Sequence, residues 1–119
     1  MRVVISGSRS IKSLPAEAKE RINTIIGLGA EILVGDAPGV DAQVQRYLKD
    51  KGYSSVTVYH AYTKPRNNAG FKAVAVTGNY SARDKFMCSQ ADYGLAIWDG
   101  VSRGTLANTQ RVKTRIIRA

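Results

Sequence analysis

The chain has one cysteine, Cys88, so it can close no internal disulfide, and a reducing compartment suits it best. It has one histidine, His60. No motif places His60 and Cys88 together as a nucleophile and its base, and no His/Cys cluster implies zinc, so no metal site is expected. No long apolar run is present, and the first residues enter a strand pattern without a signal-peptide signature. A soluble cytoplasmic protein with no membrane partner is therefore expected. Two common phosphate signatures are also missing. No G-x-x-x-x-G-K-[ST] occurs, which speaks against a P-loop NTPase. Gly7-Ser8-Arg9-Ser10 lacks the remaining glycines of G-x-G-x-x-G, which speaks against a plain NAD dehydrogenase.

Acids are scarce: 9 Asp+Glu stand against 18 Lys+Arg, a net charge of +9. That balance favours anionic partners. The excess is uneven, because Val101–Ala119 holds Arg103, Arg111, Lys113, Arg115 and Arg118 and no acid. A single-stranded nucleic acid is therefore an alternative partner to a small anion. The 119 residues, 44% of them hydrophobic, suit one globular domain spanning 1–119, with no repeat and no linker.

Apolar runs predict strands at Met1–Ser6, Glu31–Val34, Ser55–His60, Tyr93–Trp98 and over the final "TRIIRA". Helical spacing of Ala18, Ile22, Ile25 and Ile26 predicts a first helix, with Ser13 as N-cap and Pro15 in its first turn. A second runs from about Gly39 to Lys51. A third runs from Asn79–Ser81 to about Ala91, with Ser81 and Asp84 at capping-box spacing. A short fourth ends near Arg111. Residues 61–79, with Pro65, Asn67, Asn68, Gly70 and Gly78, read as a long loop that could act as a lid. The alternation predicts an α/β fold: a Rossmann-like, doubly wound, mostly parallel five-stranded sheet, order 3-2-1-4-5, with helices on both faces.

In such sheets ligands bind beyond the carboxyl ends of the strands, where strand order reverses. Three glycine-bearing loops leave that edge: Gly7-Ser8-Arg9, Gly35-Asp36-Ala37-Pro38-Gly39 and Gly100-Val101-Ser102-Arg103-Gly104-Thr105. Glycine admits close backbone approach, and free N–H groups at a helix start favour an anion.

The motifs "ISGSRS", "VGDAPGVDAQVQRYL", "YSARDKFM" and "AIWDGVSRGTLAN" together resemble the SLOG superfamily, specifically its small YspA-like, YpsA-related branch. Relatives of that branch include the lonely-guy phosphoribohydrolases and the DNA-processing protein A family. The resemblance covers nearly the whole chain. It implies a Rossmann-like domain that binds a nucleotide or nucleotide-derived ligand (a nucleoside monophosphate, an ADP-ribose- or NAD-like molecule, or a cyclic nucleotide) and forms a homo-oligomer, a dimer. It places Gly7, Ser8 and Arg9 under the ligand and Gly35, Asp36, Gly39 and Asp41 along the second loop. It sets Arg83 and Asp84 facing the pocket, and Gly100, Ser102, Gly104 and Thr105 at a phosphate. Lonely-guy enzymes carry P-G-G-x-G-T-x-x-E. Here Asp99 and Val101 break the pattern, and Asn108 stands where the catalytic Glu would be.

Several residues carry two readings. Asp36 either caps the second helix or meets the ligand, and Asp41 reads as a first-turn acid facing the helix dipole. Arg9 and Arg83 could clamp a phosphate, or Arg83 could pair locally with Asp84. Trp98 could stack a base or simply pack. If an N-glycosidic bond is hydrolysed, Asp36 or Asp99 would activate water and Arg83 would stabilise charge. His60 and Cys88 read as structural.

Overall fold

The apolar runs and amphipathic segments resolve into six strands and four helices in the computed structural model, which describes residues 1–119. In chain order they are β1 (Arg2–Gly7), α1 (Ala16–Gly27), β2 (Glu31–Val34), α2 (Val40–Asp50), β3 (Val56–Ala61), β4 (Lys72–Val76), α3 (Tyr80–Ser89), β5 (Tyr93–Trp98), α4 (Arg103–Arg111) and β6 (Thr114–Arg118). One sheet contains every strand, in the order β4-β3-β2-β1-β5-β6, and every neighbouring pair is parallel. The expected five strands in order 3-2-1-4-5 are thus corrected to six, and the sheet is wholly parallel.

The additional strand is β4, inside the segment expected to be a loop. It pairs with β3 in the register Thr57↔Lys72 to Ala61↔Val76. Lys72-Ala73-Val74-Ala75-Val76 lies at the sheet edge and is half-exposed, so it lacks the solid apolar run of the inner strands. Parallel neighbours are usually joined through a helix. Here Tyr62–Phe71 makes the crossover with no helix at all.

Alternation along β1 sends Val3 and Ile5 to one face and Val4 to the other. The first face packs Ile22 and Ile25 of α1 and Val40, Val44 and Leu48 of α2 against Ile5, Ile32, Val34 and Val58 in a 17-residue core. The second face is thinner: Val4, Leu33 and Tyr59 meet Met87 and Cys88 of α3. No helix is long and apolar enough to cross a membrane.

Two predicted caps are corrected. Pro15, not Ser13, occupies the N-cap of α1, where its fixed φ of −67° suits the turn and its missing N–H costs nothing. Asn79 caps α3, its side-chain oxygen accepting the Ala82 N–H at 2.9 Å. Ser81 lies inside that helix, and Asp84 is drawn away to Arg83 and Asn108.

Candidate functional site

The strand order reverses at β1, which lies between β2 and β5. A cleft of about 200 Å³ opens there, at the carboxyl end of the sheet. Ser6, Gly7, Ser8 and Arg9 form its floor, and Ser102, Gly104, Thr105 and Asn108 of α4 and its cap form one wall. Asp41 of α2 and Arg83, Asp84 and Met87 of α3 form the other, with Arg66 and Tyr80 at the lip.

Ser8 joins the two helix starts. Its carbonyl accepts the Val40 N–H at 3.3 Å, at the first turn of α2. Its hydroxyl lies 2.8 Å from the Ser102 hydroxyl, at the cap of α4, and accepts the Asp99 N–H at 3.0 Å. Ser102 is thereby turned aside and gives α4 no cap bond. Leu106 N–H bonds to the Ser102 carbonyl, but the amides of Arg103, Gly104 and Thr105 have no partner within the chain. Such amides carry partial positive charge and favour an anion. Gly104 also leaves its Cα face open, since a Cβ there would meet nothing within 4 Å.

The other glycines serve the walls themselves. A Cβ on Gly7 would lie 2.5 Å from Val40 Cβ, so Gly7 lets α2 press against β1. Gly39 has φ +83° and packs against the Arg9 backbone. A Cβ on Gly35 would strike Asp41 and Arg83. Gly100, at φ +84°, lies under the Arg118 guanidinium. Gly35, Gly39 and Gly100 therefore hold loops together behind the cleft and do not line it.

Behind the wall lies a charge cluster. Asp36 is fully buried, and its Oδ1 accepts Arg83 Nη1 at 2.6 Å and Arg66 Nη2 at 3.0 Å. Its Oδ2 accepts the Arg66 backbone N–H at 2.8 Å. Burial pushes this carboxyl up, but the Arg66 hydrogen bonds and the Arg66 and Arg83 charges outweigh it and hold it below its ordinary value. Asp36 neither caps α2 nor reaches the cleft. With both oxygens on arginine, it is badly placed to activate water. Arg83 reaches Asp84 as well, at 2.8 Å, so the local pair forms alongside the Asp36 pair. Burial opposes the Arg83 cation, yet Asp84, Asp41 and Asp36 outweigh it and raise its pKa.

Asp41 behaves differently. Its Oδ2 accepts the Ala37 N–H at 3.1 Å, but no arginine pairs with it. Burial, only partly offset by the Arg83 charge and the Ala37 bond, pushes it up to about 7. Arg9 is exposed and carries no ion pair.

Asp99 and Trp98 lie off the cleft. Asp99 accepts the Ser102 and Val101 amides at 2.8 Å each and the Ser10 hydroxyl at 2.7 Å. Those bonds hold it far below the usual carboxylate range, as a turn-forming residue and a poor base. Trp98 donates its indole N–H to the Ser102 carbonyl and carries Arg118 over its ring at 5.7 Å, so it braces the same turn. His60 is buried beside the Ala61 carbonyl. Burial and the Asp84 charge push the Cys88 thiol to about 11, so it stays protonated at neutral pH. No His, Cys, Asp and Glu side chains gather three or more at a time as a metal-ligand set.

Six cleft residues escape the sequence-based list: Ser6, Ala37, Arg66, Tyr80, Met87 and Asn108. Asn108 had a usable signal, standing one helical turn after Thr105 at the position where the resemblance expects a catalytic Glu. Arg66 is held at the cleft by Asp36, 30 positions away. The Tyr62–Phe71 segment is hydrogen-bonded to the body of the domain. Asn67 donates to the Asp36 carbonyl, Gln45 donates to the Asn67 carbonyl, and Ala69 donates to Gln45. Arg66 also lies 3.8 Å over the Tyr80 ring, which Tyr62 meets edge-on at 5.2 Å.

No family model, no curated protein and no solved structure matches this chain.

Proposed function

We propose that the cleft binds the anionic group of a nucleotide or nucleotide-derived ligand, in line with the SLOG resemblance. One observation carries this reading: the start of α4, whose first amides have no partner within the chain, lines a cleft together with Ser8, Ser102, Thr105 and the unpaired Arg9. Backbone donors and an arginine converging at a strand-order reversal suit a phosphate. Arg66 and Tyr80 offer planar surfaces at the lip for a base. Calorimetric titration with AMP, ADP-ribose, NAD and cyclic nucleotides tests the reading. Heat from at least one is expected, with competition by inorganic phosphate. Silence across the panel overturns it.

A second reading, a single-stranded nucleic-acid module, is favoured by the exposure of Arg103, Arg111, Lys113, Arg115 and Arg118. It requires retention of single strands that falls steeply with salt and drops when Arg115 and Arg118 are reversed in charge. Unchanged retention in that variant removes its support.

A further inference from the structure

Three carboxyls surround Arg83, and only one keeps an oxygen for the cleft. Both Asp36 oxygens are taken by Arg66 and Arg83. Asp84 gives Oδ1 to Arg83 and Oδ2 to Asn108. Asp41 is 5% exposed, and only its Oδ2 is bonded, to the Ala37 N–H. No fully enclosed side-chain oxygen lacks a hydrogen bond. The unpartnered Asp41 Oδ1 therefore opens on the cleft that Asp41 lines. Ser8 ties the first turn of α2, which carries Asp41, to the first turn of α4, which carries the free amides. An unpartnered carboxyl oxygen and an anion-seeking helix start thus flank one residue.

The pairing is a puzzle if Asp41 is ionised. A carboxylate there sets a like charge against any anion drawn to α4. A neutral carboxyl instead presents an O–H donor, which an anion welcomes. We infer that Asp41 meets the ligand's anionic group as a neutral carboxyl and donates its O–H, so that binding takes up one proton. This rests on the reading of the cleft as an anionic-ligand site and adds to it the residue that sets its proton linkage.

The surroundings favour that form. The charged groups facing Asp41 are Asp36 after β2, Arg83 and Asp84 on α3, Arg66 from the crossover and Arg9 after β1, while α4 contributes the neutral Asn108. Burial is the largest influence, the Arg83 charge opposes it, and Asp84 and Asp36 reinforce it, leaving the midpoint near neutrality. A bound anion adds another negative charge and moves the midpoint higher.

The test is calorimetry of AMP binding from about pH 6.5 to about pH 9, in pairs of buffers that differ in ionisation enthalpy. A phosphate monoester loses its second proton near a pKa of about 6, so the upper range reports the protein. About one proton is expected to be taken up per AMP near pH 8.5, with affinity falling about tenfold per pH unit above the Asp41 midpoint. Asp41→Asn keeps a donor of the same shape and is expected to bind AMP without proton uptake and without that slope. Asp50→Asn, at the exposed far end of α2 and away from the cleft, is expected to keep both. Infrared difference spectra of the wild-type protein give a second measurement that needs no variant. Binding near pH 8.5 should produce a protonated-carboxyl band, and absence of that band overturns the inference. AMP binding with no proton uptake, or uptake that persists in Asp41→Asn, overturns this inference and leaves the anion site standing. No AMP binding at any pH, with the other nucleotides equally silent, overturns both.

Discussion

Arg83 Nη1 lies 2.6 Å from Asp36 Oδ1, and the two side chains are 6% and 1% exposed. The pair bolts the start of α3 to the loop after β2 and, through Arg66, fixes the crossover to the same carboxylate. Removing one partner of a buried pair leaves the other charge unpaired in a poorly solvated site, a loss of about 3–5 kcal/mol. Asp36→Ala is expected to lower the unfolding free energy from urea melts by that order. It should also release Tyr62–Phe71, seen as faster amide exchange at Arg66, which loses its Asp36 acceptor. A variant as stable as the parent would show that the cluster contributes nothing net.

Asp36 and Asp41 should give stability opposite pH dependences. The folded pKa of Asp36 is lowered, so its contribution is full above the unfolded value near 3.8 and is lost as pH falls through the folded value. That of Asp41 is raised from 3.8 to about 7, so between those values the folded state holds a proton that the unfolded state has released. Stability therefore declines as pH rises across that window, by at most about 1.4 kcal/mol per unit. Asp41→Asn should remove this decline and gain on the parent between about pH 5 and about pH 8 in urea melts. Parallel curves for the two proteins would contradict it.

Gly7 and Gly104 should separate stability from binding. Gly7→Ala forces a methyl to 2.5 Å from Val40 Cβ and 2.6 Å from the Ile97 carbonyl, with an expected loss of about 1–3 kcal/mol or more. Gly104→Ala meets nothing within 4 Å and sits in the first turn of α4, so stability should hold or rise by up to about 1 kcal/mol. The same methyl stands at the cleft wall and should weaken AMP binding several-fold. Thermal melts and calorimetry on both variants decide; a Gly104→Ala protein that binds normally would move the ligand away from α4.

Arg9 is exposed at the cleft and makes no ion pair, so the fold loses little without it. Arg9→Ala should leave the melting temperature within about 0.5 kcal/mol equivalent of the parent. Loss of a charged hydrogen bond to a bound phosphate, about 1.5–3 kcal/mol, should weaken AMP by roughly 10- to 100-fold. Unchanged affinity would remove Arg9 from the site.

By itself the sequence determined the α/β alternation, the buried inner strands and the three loops at one sheet edge. Those follow from local patterns: β-branched runs, helical spacing and glycine breaks. It also pointed to Ser8, Arg9, Asp41, Arg83, Ser102, Gly104 and Thr105, all of which line the cleft. Tertiary structure alone decided what each polar group faces. Asp36 and Asp41 look alike in "GDAPGVD", yet one is saturated by arginines from distant elements and the other keeps an oxygen open. Likewise β4 exists because β3 offers it a ladder, not because Lys72–Val76 has a strong pattern of its own. Ion pairing and edge-strand addition depend on partners tens of residues away, and no local periodicity encodes them.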